Sequence, residues 1–207
     1  MKSDYKFGIR QQIYRPFKRM LDILFSFIFI LLFSPLYFIL FFVVLIDTKG
    51  FPIFRQRRMG KNNKEFLILK FRTMNVNTPR DVPTHLLENP DKYITRVGKY
   101  LRKSSLDELP QLFNIFVGHM SFIGPRPALW SQLDLIKERD NRHVPLIRPG
   151  LTGWAQINGR DLISIEKKAE LDQEYLKKFN IWFDIKILFL TIHNTIREKD
   201  VLEGKQS

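Results

Sequence analysis

The longest apolar run in the chain covers residues 23–46, ILFSFIFILLFSPLYFILFFVVLI, and contains no charged residue. As one straight helix the run would reach about 36 Å at roughly 1.5 Å per residue, enough to cross a hydrocarbon core of about 30 Å. The run is apolar on every face, which is unlike a half-buried helix of a soluble domain. The pattern therefore predicts a helix that enters a membrane.

Ser34 and Pro35 interrupt this run near its centre. A proline inside a helix removes a backbone hydrogen bond and kinks the chain, and a neighbouring serine can satisfy a backbone group that is freed. Each half is then about 17 Å long, close to half of the hydrocarbon thickness. The break therefore permits a helix over about 20–46 that enters the membrane and turns back.

Cations flank the apolar run on both sides. They are Lys2, Lys6, Arg10, Arg15, Lys18, Arg19, Lys49, Arg55, Arg57, Arg58 and Lys61. Because cations next to a membrane segment favour the cytoplasmic side, a full crossing would place one group on the wrong side. The pattern favours a re-entrant helix broken at Ser34-Pro35, and a kinked single span is the alternative.

The rest of the chain predicts an α+β protein that is mostly helical, with one small hairpin. Two apolar-rich runs in residues 51–74 flank the turn sequence GKNN at 60–63, which predicts that β-hairpin. On a strand, Lys70 and Arg72 would share one face, and a solvated basic edge strand is the simplest interpretation of them. Prolines and polar residues predict a loop over 75–92.

Apolar residues at helical spacing predict four helices after the hairpin. Their ranges are 94–103, 106–118, 164–178 and 181–197. The last one carries Trp182 and Phe183 on a broad aliphatic face, which suits either a core helix or an amphipathic helix lying in the membrane interface.

Composition and charge narrow the classes of function. The chain has 207 residues, a formal net charge of +13 and no cysteine, which excludes disulfides and thiolate zinc sites. The excess of cations indicates an anionic partner, either nucleic acid, lipid headgroups or a phosphorylated substrate. Its four histidines lack metal-ligand spacing, and the sequence contains no Walker A loop, GxSxG or dinucleotide-binding fingerprint.

Asp107 and Glu108 form an acidic pair at the predicted start of a helix. Ser105 and Glu108 have the spacing of a capping box, and acids favour a helix N-terminus, so helix capping explains the pair by itself. The surrounding cations offer a second interpretation, because they would keep Asp107 ionised, as a nucleophile must be. A carboxylate beside bound phosphates also suits Mg²⁺.

Arginines framed by glycine and proline accompany this pair. Such rigid turns suit bidentate contacts with phosphate. The framed arginines are Arg126, Arg148 and Arg160, and Arg102 precedes the segment that carries the acidic pair. Together with the apolar run, they indicate phosphoryl transfer at a membrane surface.

Four segments in this order resemble the bacterial sugar transferases, the monotopic phosphoglycosyl transferases. They are KRMLDILFSFIFILLFSP, LKFRTM, SSLDELPQLFNIFVGHMSFIGPRP and RPGLTGWAQINGRD, and the likeness runs from about residue 18 to 190. The length is similar to that of the small members, which consist of little more than the catalytic core. The resemblance implies an N-terminal segment, 1–50, with the re-entrant helix, and a catalytic domain, 51–207.

The resemblance also implies a ping-pong reaction. Asp107 would attack the β-phosphorus of a UDP-sugar and release UMP, and undecaprenyl phosphate would then take the sugar phosphate. Mg²⁺ would be held in part by Asp107, with Glu108 as a neighbouring acid, base or positioning group. The substrate- and phosphate-binding candidates are Lys70, Arg72, Arg102, Arg126, Arg148, Gln156 and Arg160.

By the same resemblance, the protein belongs to the bacterial cytoplasmic membrane, with its catalytic domain on the cytoplasmic face among inner-membrane phospholipids. Nucleic acid is not expected as a partner, since no nucleic-acid-reading module is visible. A non-catalytic basic membrane scaffold is the alternative function. The identity of the sugar, the glycoconjugate pathway and a homo-oligomeric state are left open.

Overall fold

The computed structural model describes residues 5–78, 92–159 and 162–196, and within them it is mostly helical with two small sheets. The helices are α1 (Ile9–Leu32), α2 (Ser34–Thr48), α3 (Arg96–Lys103), α4 (Gln111–Val117), α5 (Leu133–Asn141), α6 (Trp154–Ile157), α7 (Ile165–Lys177) and α8 (Ile181–Ile196). The strands are β1 (Ile53–Met59), β2 (Glu65–Phe71), β3 (Ser121–Ile123) and β4 (Gly150–Thr152). Most of the predicted loop at 75–92 lies outside the described residues.

The apolar run folds as two helices that meet at Phe33 with a bend of 64°. Pro35 lies in the first turn of α2, where a missing backbone N–H removes no helical hydrogen bond. The hydroxyl of Ser34 donates to the carbonyl of Leu31 at 2.8 Å. The predicted break at Ser34-Pro35 is therefore confirmed, whereas the helix before it begins at Ile9 rather than near residue 20 because α1 continues into the folded domain.

No single helix among the described residues is both long and apolar enough to cross a membrane, but α1 and α2 meet those criteria as a bent pair. Much of the pair's apolar surface is exposed. Side chains on that surface include Leu24, Phe27, Leu31, Leu32, Phe38, Ile39 and Ile46. An exposed patch of this kind marks a surface for interaction with another protein or with a membrane.

Helix α8 divides its apolar side chains between the core and the surface. Phe183 and Ile187 are buried in a core cluster with Tyr175 and Leu176 of α7. On the outer side Trp182 is 77% exposed, and Ile185, Leu188, Phe189 and Ile192 are exposed as well. The sequence left a core helix and an interfacial helix as alternatives, and the structure shows one face of α8 buried in the core and an opposite apolar face exposed.

The predicted hairpin is confirmed: β1 and β2 pair antiparallel, from Ile53 opposite Phe71 to Met59 opposite Glu65. The GKNN turn places Asn62 and Asn63 in the left-handed region, which asparagine tolerates better than most residues. The carboxamide of Asn114 then fastens α4 to β2. It donates to Leu67 O at 2.8 Å and accepts from Leu69 N at 2.9 Å.

The continuous helix predicted over 106–118 is wrong at its beginning. Residues Leu106–Glu108 form one 3₁₀ turn, and α4 begins only at Gln111, after Pro110. Ser105 has a left-handed backbone, and its side chain makes no capping hydrogen bond with this turn. The capping-box explanation of the acidic pair is therefore wrong as well, although Gly118 ends α4 as predicted.

Gly98 allows α3 to approach the end of the hairpin closely. A Cβ at this position would lie 2.1 Å from the carbonyl oxygen of Thr73 and 2.7 Å from the hydroxyl of Thr95. Both neighbours are fixed, because Thr95 caps α3 and also donates its backbone N–H to Thr73 O. Only a residue without a side chain fits there.

We expect Gly98→Ala to lower the free energy of unfolding by about 1–3 kcal/mol, because α3 must shift to relieve the overlap. Gly8→Ala is the matched control, since nothing lies within 4 Å of a Cβ at Gly8, and it should cost less than about 1 kcal/mol. Thermal melts of the full chain in neutral detergent measure both. Equal melting temperatures for the two variants would contradict the predicted close contact.

Candidate active site

The acidic pair lies on a short turn between α3 and α4. The left-handed backbone of Ser105 (φ 57°) turns the chain sharply after α3, and the 3₁₀ turn then places Asp107 inward. Only 8% of Asp107 is exposed. A hydrogen bond links this turn to the bent helix pair α1–α2: the hydroxyl of Tyr37 in α2 donates to the carbonyl of Leu109 at 2.5 Å.

Cations from different parts of the chain converge on this pair. The ammonium of Lys70, near the end of β2, lies 2.7 Å from Glu108 Oε1 and 3.8 Å from Asp107 Oδ2. Arg126 contributes Nη1 at 3.7 Å from the same Glu108 oxygen. Arg102, at the end of α3, is near enough for its charge to act on Asp107. The structure thus brings together five residues of the predicted site.

Burial has the largest effect on the pKa of Asp107. It raises the pKa of this carboxyl above its ordinary value, and the charge of Glu108 raises it further, against the lowering effects of Lys70, Arg102 and Arg126. The sequence predicted that neighbouring cations would favour the ionised form. Those cations are present and do favour the ionised form, but desolvation of the charge outweighs them, so the net shift of the Asp107 pKa is upward.

The Asp107 carboxylate accepts no hydrogen bond within the described part of the chain, and it forms an ion pair with Lys70 at 3.8 Å. Glu108, by contrast, is engaged by Lys70 at hydrogen-bond distance. A buried carboxylate that lies near cations without being hydrogen-bonded to them is available to attack an electrophile or to coordinate a metal ion. The two acids therefore differ in what they can do.

The residues fit Mg²⁺ better than a metal held by protein ligands alone. No group of three or more His, Asp or Glu side chains suited to a metal occurs among residues 5–78, 92–159 and 162–196. Mg²⁺ is commonly held by one or two carboxylates, with substrate phosphates and water completing its octahedron. Asp107, with Glu108 adjacent, supplies a donor set of that kind.

A buried ion pair behind the site holds the loop that carries Arg126. The guanidinium of Arg139 in α5 contacts Asp172 Oδ2 through Nε at 2.9 Å and Nη2 at 2.6 Å. Its Nη1 donates to the carbonyl of Arg126 at 2.8 Å. Sequence reasoning missed this pair, because 33 residues separate its members and neither lies in a quoted motif.

Thr73 is a second residue that sequence reasoning missed. It is buried, and its hydroxyl oxygen accepts from Nε of Arg102 at 2.8 Å. Thr73 stands three positions after Lys70 in the segment LKFRTM, so the motif itself was the available signal. The hydroxyl fixes the guanidinium at the end of α3, beside the acidic turn.

Three other predicted site residues hydrogen-bond to backbone carbonyls away from the acidic pair. Arg72 lies just after the end of β2, and its Nε donates to the carbonyl of Phe51 at 3.0 Å. Arg148 donates from Nε to the carbonyl of Gly118 at 2.8 Å. Gln156 donates to Leu151 O at 3.0 Å. Their part in substrate binding stays a prediction, and Arg160 lies outside the described residues.

The described residues combine a bent apolar helix pair with a buried carboxylate that lies among cations. A family model described as bacterial sugar transferase matches residues 13–198. The chain therefore belongs to the bacterial sugar transferase family, as the four sequence segments indicated.

Relatives with assigned activities support the same family. The UDP-glucose:undecaprenyl-phosphate glucose-1-phosphate transferase of Escherichia coli (strain K12) is 41% identical over 187 residues, which are 86% of this chain and 40% of that protein. The UDP-N-acetylgalactosamine-undecaprenyl-phosphate N-acetylgalactosaminephosphotransferase of Aeromonas hydrophila is 39% identical over 193 residues, 89% of this chain and 44% of the relative. This chain thus spans less than half the length of these two relatives.

A shorter relative is matched over most of its own length. The sugar transferase EpsL of Bacillus subtilis (strain 168), itself uncharacterised, is 44% identical over 171 residues, covering 81% of this chain and 80% of EpsL. The family model, which matches residues 13–198, covers every residue of the site described above.

Proposed function

We propose that the protein is a phosphoglycosyl transferase that moves a sugar 1-phosphate from a UDP-sugar to undecaprenyl phosphate and releases UMP. The observation that carries the proposal is the buried Asp107 carboxylate, which has no hydrogen bond among the described residues and faces Lys70, Arg102 and Arg126. The names of the relatives in Escherichia coli and Aeromonas hydrophila supply the two substrate classes.

In the first half-reaction, a carboxylate oxygen of Asp107 attacks the β-phosphorus of the UDP-sugar. The bond between that phosphorus and the bridging oxygen breaks, and the oxygen leaves with UMP. The sugar phosphate stays on Asp107 as an acyl phosphate. Lys70, Arg102 and Arg126 offset the negative charge that gathers on the phosphate oxygens during the transfer.

In the second half-reaction, a phosphate oxygen of undecaprenyl phosphate attacks the same phosphorus. The bond from phosphorus to Asp107 breaks, which restores the carboxylate and leaves the sugar on a lipid diphosphate. Glu108 holds Lys70 at 2.7 Å and so positions its ammonium beside Asp107. Mg²⁺, held by Asp107 and the substrate diphosphate, would add charge neutralisation at the phosphate oxygens.

The bent pair α1–α2 is proposed to dip into one leaflet of the bacterial cytoplasmic membrane and return to the cytoplasmic face. Its exposed apolar surface and the cations on both flanks support this arrangement. The outer face of α8 would lie in the interface, with the exposed Trp182 at headgroup level. The site is thereby kept at the depth where a lipid phosphate meets a soluble nucleotide.

Re-entry predicts that both flanks of the pair stay on the cytoplasmic side. Lys6→Cys and Lys64→Cys, placed at exposed positions in a chain without native cysteine, should both react with a membrane-impermeant maleimide only in inside-out vesicles. Reaction of one of them in right-side-out vesicles would establish a kinked single span instead. A cysteine on the known cytoplasmic side of another inner-membrane protein calibrates vesicle orientation.

Activity is tested by incubating the purified full chain with undecaprenyl phosphate, Mg²⁺ and a panel of UDP-sugars. We expect release of UMP with at least one sugar, and a radiolabelled sugar phosphate on the protein when the lipid is omitted. Release of UDP would indicate ordinary glycosyl transfer. No release with any sugar, together with binding to anionic vesicles, would favour a non-catalytic membrane scaffold.

A further inference from the structure

A second cationic pocket lies at the other end of the hairpin from Lys70. Its floor is formed partly by Ile147 and Phe179, and its charged lining residues are Arg15, Lys18, Arg19, Asp22, Lys61 and Arg148. Lys61 stands in the hairpin turn, so about 16 Å of strand at roughly 3.3 Å per residue separates this turn from Lys70. The pocket is therefore distinct from the cluster around Asp107.

The charges of this pocket do not balance. Lys18 is neutralised by Asp184, which lies beyond the lining. Asp22 is the one acid in the lining, and it already accepts hydrogen bonds from the Ser121 hydroxyl and the Phe122 backbone N–H, both at 3.1 Å. Four further cations remain against this single carboxylate. They are Arg15, Arg19, Lys61 and Arg148.

Two of these cations are held rigidly by backbone carbonyls. Arg19 donates to Ile115 O at 2.6 Å and to Phe116 O at 2.7 Å, and Arg148 donates to Gly118 O at 2.8 Å. These carbonyls lie at the C-terminal end of α4, where the helix dipole favours positive charge. The carbonyls orient the two guanidiniums, but they do not cancel a full charge.

The other two cations have no anionic partner among the described residues. The guanidinium of Arg15 lies 4.4 Å above the ring of Phe7. The ammonium of Lys61 makes no hydrogen bond or ion pair within the described part of the chain. Burial lowers the pKa of Lys61, and the charges of Arg15 and Arg148 lower it further. A bound anion would relieve this repulsion.

We propose that the pocket binds a phosphate group through Arg15, Arg19, Lys61 and Arg148. The phosphate is either the phosphodiester of an anionic lipid headgroup or a free inorganic phosphate. Guanidiniums and ammoniums that converge from several elements supply the charge-assisted hydrogen bonds that phosphate oxygens accept. Ile23 lies exposed one helical turn beyond Arg19 on the same face of α1, which would place a lipid's chains beside its headgroup.

The test uses the full chain in neutral detergent at constant ionic strength. The melting temperature is followed while phosphatidylglycerol, inorganic phosphate or phosphate-free diacylglycerol is added, and a Kd is derived from each titration. We expect Lys61→Gln and Arg15→Gln each to raise the Kd about tenfold, since each removes a charge-assisted contact. Lys61→Arg, which keeps the charge, should restore binding to within about threefold.

A control variant separates this pocket from other cations. Lys64→Gln removes the same charge from the same turn at an exposed position. It should retain the wild-type Kd. Protection by phosphatidylglycerol alone identifies a lipid headgroup, and protection by inorganic phosphate identifies a free ion. Equal protection by diacylglycerol, or wild-type Kd values in both Lys61→Gln and Arg15→Gln, would overturn the proposal.

Discussion

Asp107→Asn is expected to abolish the transfer reaction, with a rate of UMP release at least about 10³-fold below that of the wild type. The amide keeps the shape of the side chain but cannot form the acyl phosphate. The same variant should fail to retain radiolabelled sugar phosphate after denaturation. Asp134→Asn, which changes an exposed acid in α5, is the matched control and should retain full activity.

The stability of Asp107→Asn should move in the opposite direction from its activity. Burial raises the pKa of Asp107 in the folded state, so the stability that its neutral form contributes is fully present below the unfolded pKa of about 3.9. That contribution is lost as the pH rises through the folded pKa. Asparagine stays neutral, so the variant should melt at or above the wild-type temperature at pH 7, and this difference should shrink on acidification.

The pH dependence of the wild type provides an independent check on the nucleophile. The carboxylate is the reactive form, so the rate should fall as the pH decreases through the raised pKa of Asp107, at a higher pH than an ordinary aspartate would give. The single-turnover rate of UMP release, measured from pH 8 to pH 5, shows this. Full activity of Asp107→Asn would contradict the proposed role of Asp107 as the nucleophile.

The second large effect is expected from Arg139→Gln. This change leaves Asp172, which is 1% exposed, without its charge partner, and breaking a buried pair in this way costs about 3–5 kcal/mol. For a chain of this size the melting temperature should fall by roughly 10 °C. Arg126 also loses the hydrogen bond to its carbonyl, so the Michaelis constant for the UDP-sugar should rise in the folded fraction.

The pH dependence of Arg139→Gln distinguishes a stranded charge from lost packing. Burial already raises the pKa of Asp172, and Arg139 opposes that shift. Without the arginine the carboxyl protonates more readily, so the destabilisation should be larger at pH 8 than at pH 5. Replacing both partners, Arg139→Met with Asp172→Leu, should recover most of the lost stability. A pH-independent loss would contradict the role assigned to the pair.

Local features of this protein follow from short stretches of sequence. Pro35 cannot continue the helix before it, so the bend near residue 33 is set by backbone sterics alone. The GKNN turn fixes the hairpin because asparagine tolerates left-handed backbone. Apolar spacing likewise gave α3, α7 and α8 to within a few residues. These elements can be predicted without knowing which other elements pack against them.

The same kind of reasoning failed where tertiary contacts override local preference. Ser105 and Glu108 have the spacing of a capping box, yet the left-handed backbone at Ser105 instead aims Asp107 into the domain. The phosphate-binding role assigned to Arg148 from its Gly/Pro surroundings stays a prediction, but its hydrogen bond to the carbonyl of Gly118 was not foreseen. A side chain's partner depends on packing between elements that are distant in sequence.

The sequence by itself determined the broken apolar segment, the hairpin, the acidic pair and, through its motifs, the family. Only the tertiary structure decided that Lys70 donates a hydrogen bond to Glu108, 38 positions away, and lies too far from Asp107 to donate one to it. It also decided the sign of the pKa shift at Asp107, since that sign depends on whether burial or neighbouring charge dominates. Residue types fix which charges a chain carries, but desolvation and distance, which set their chemistry, exist only after packing.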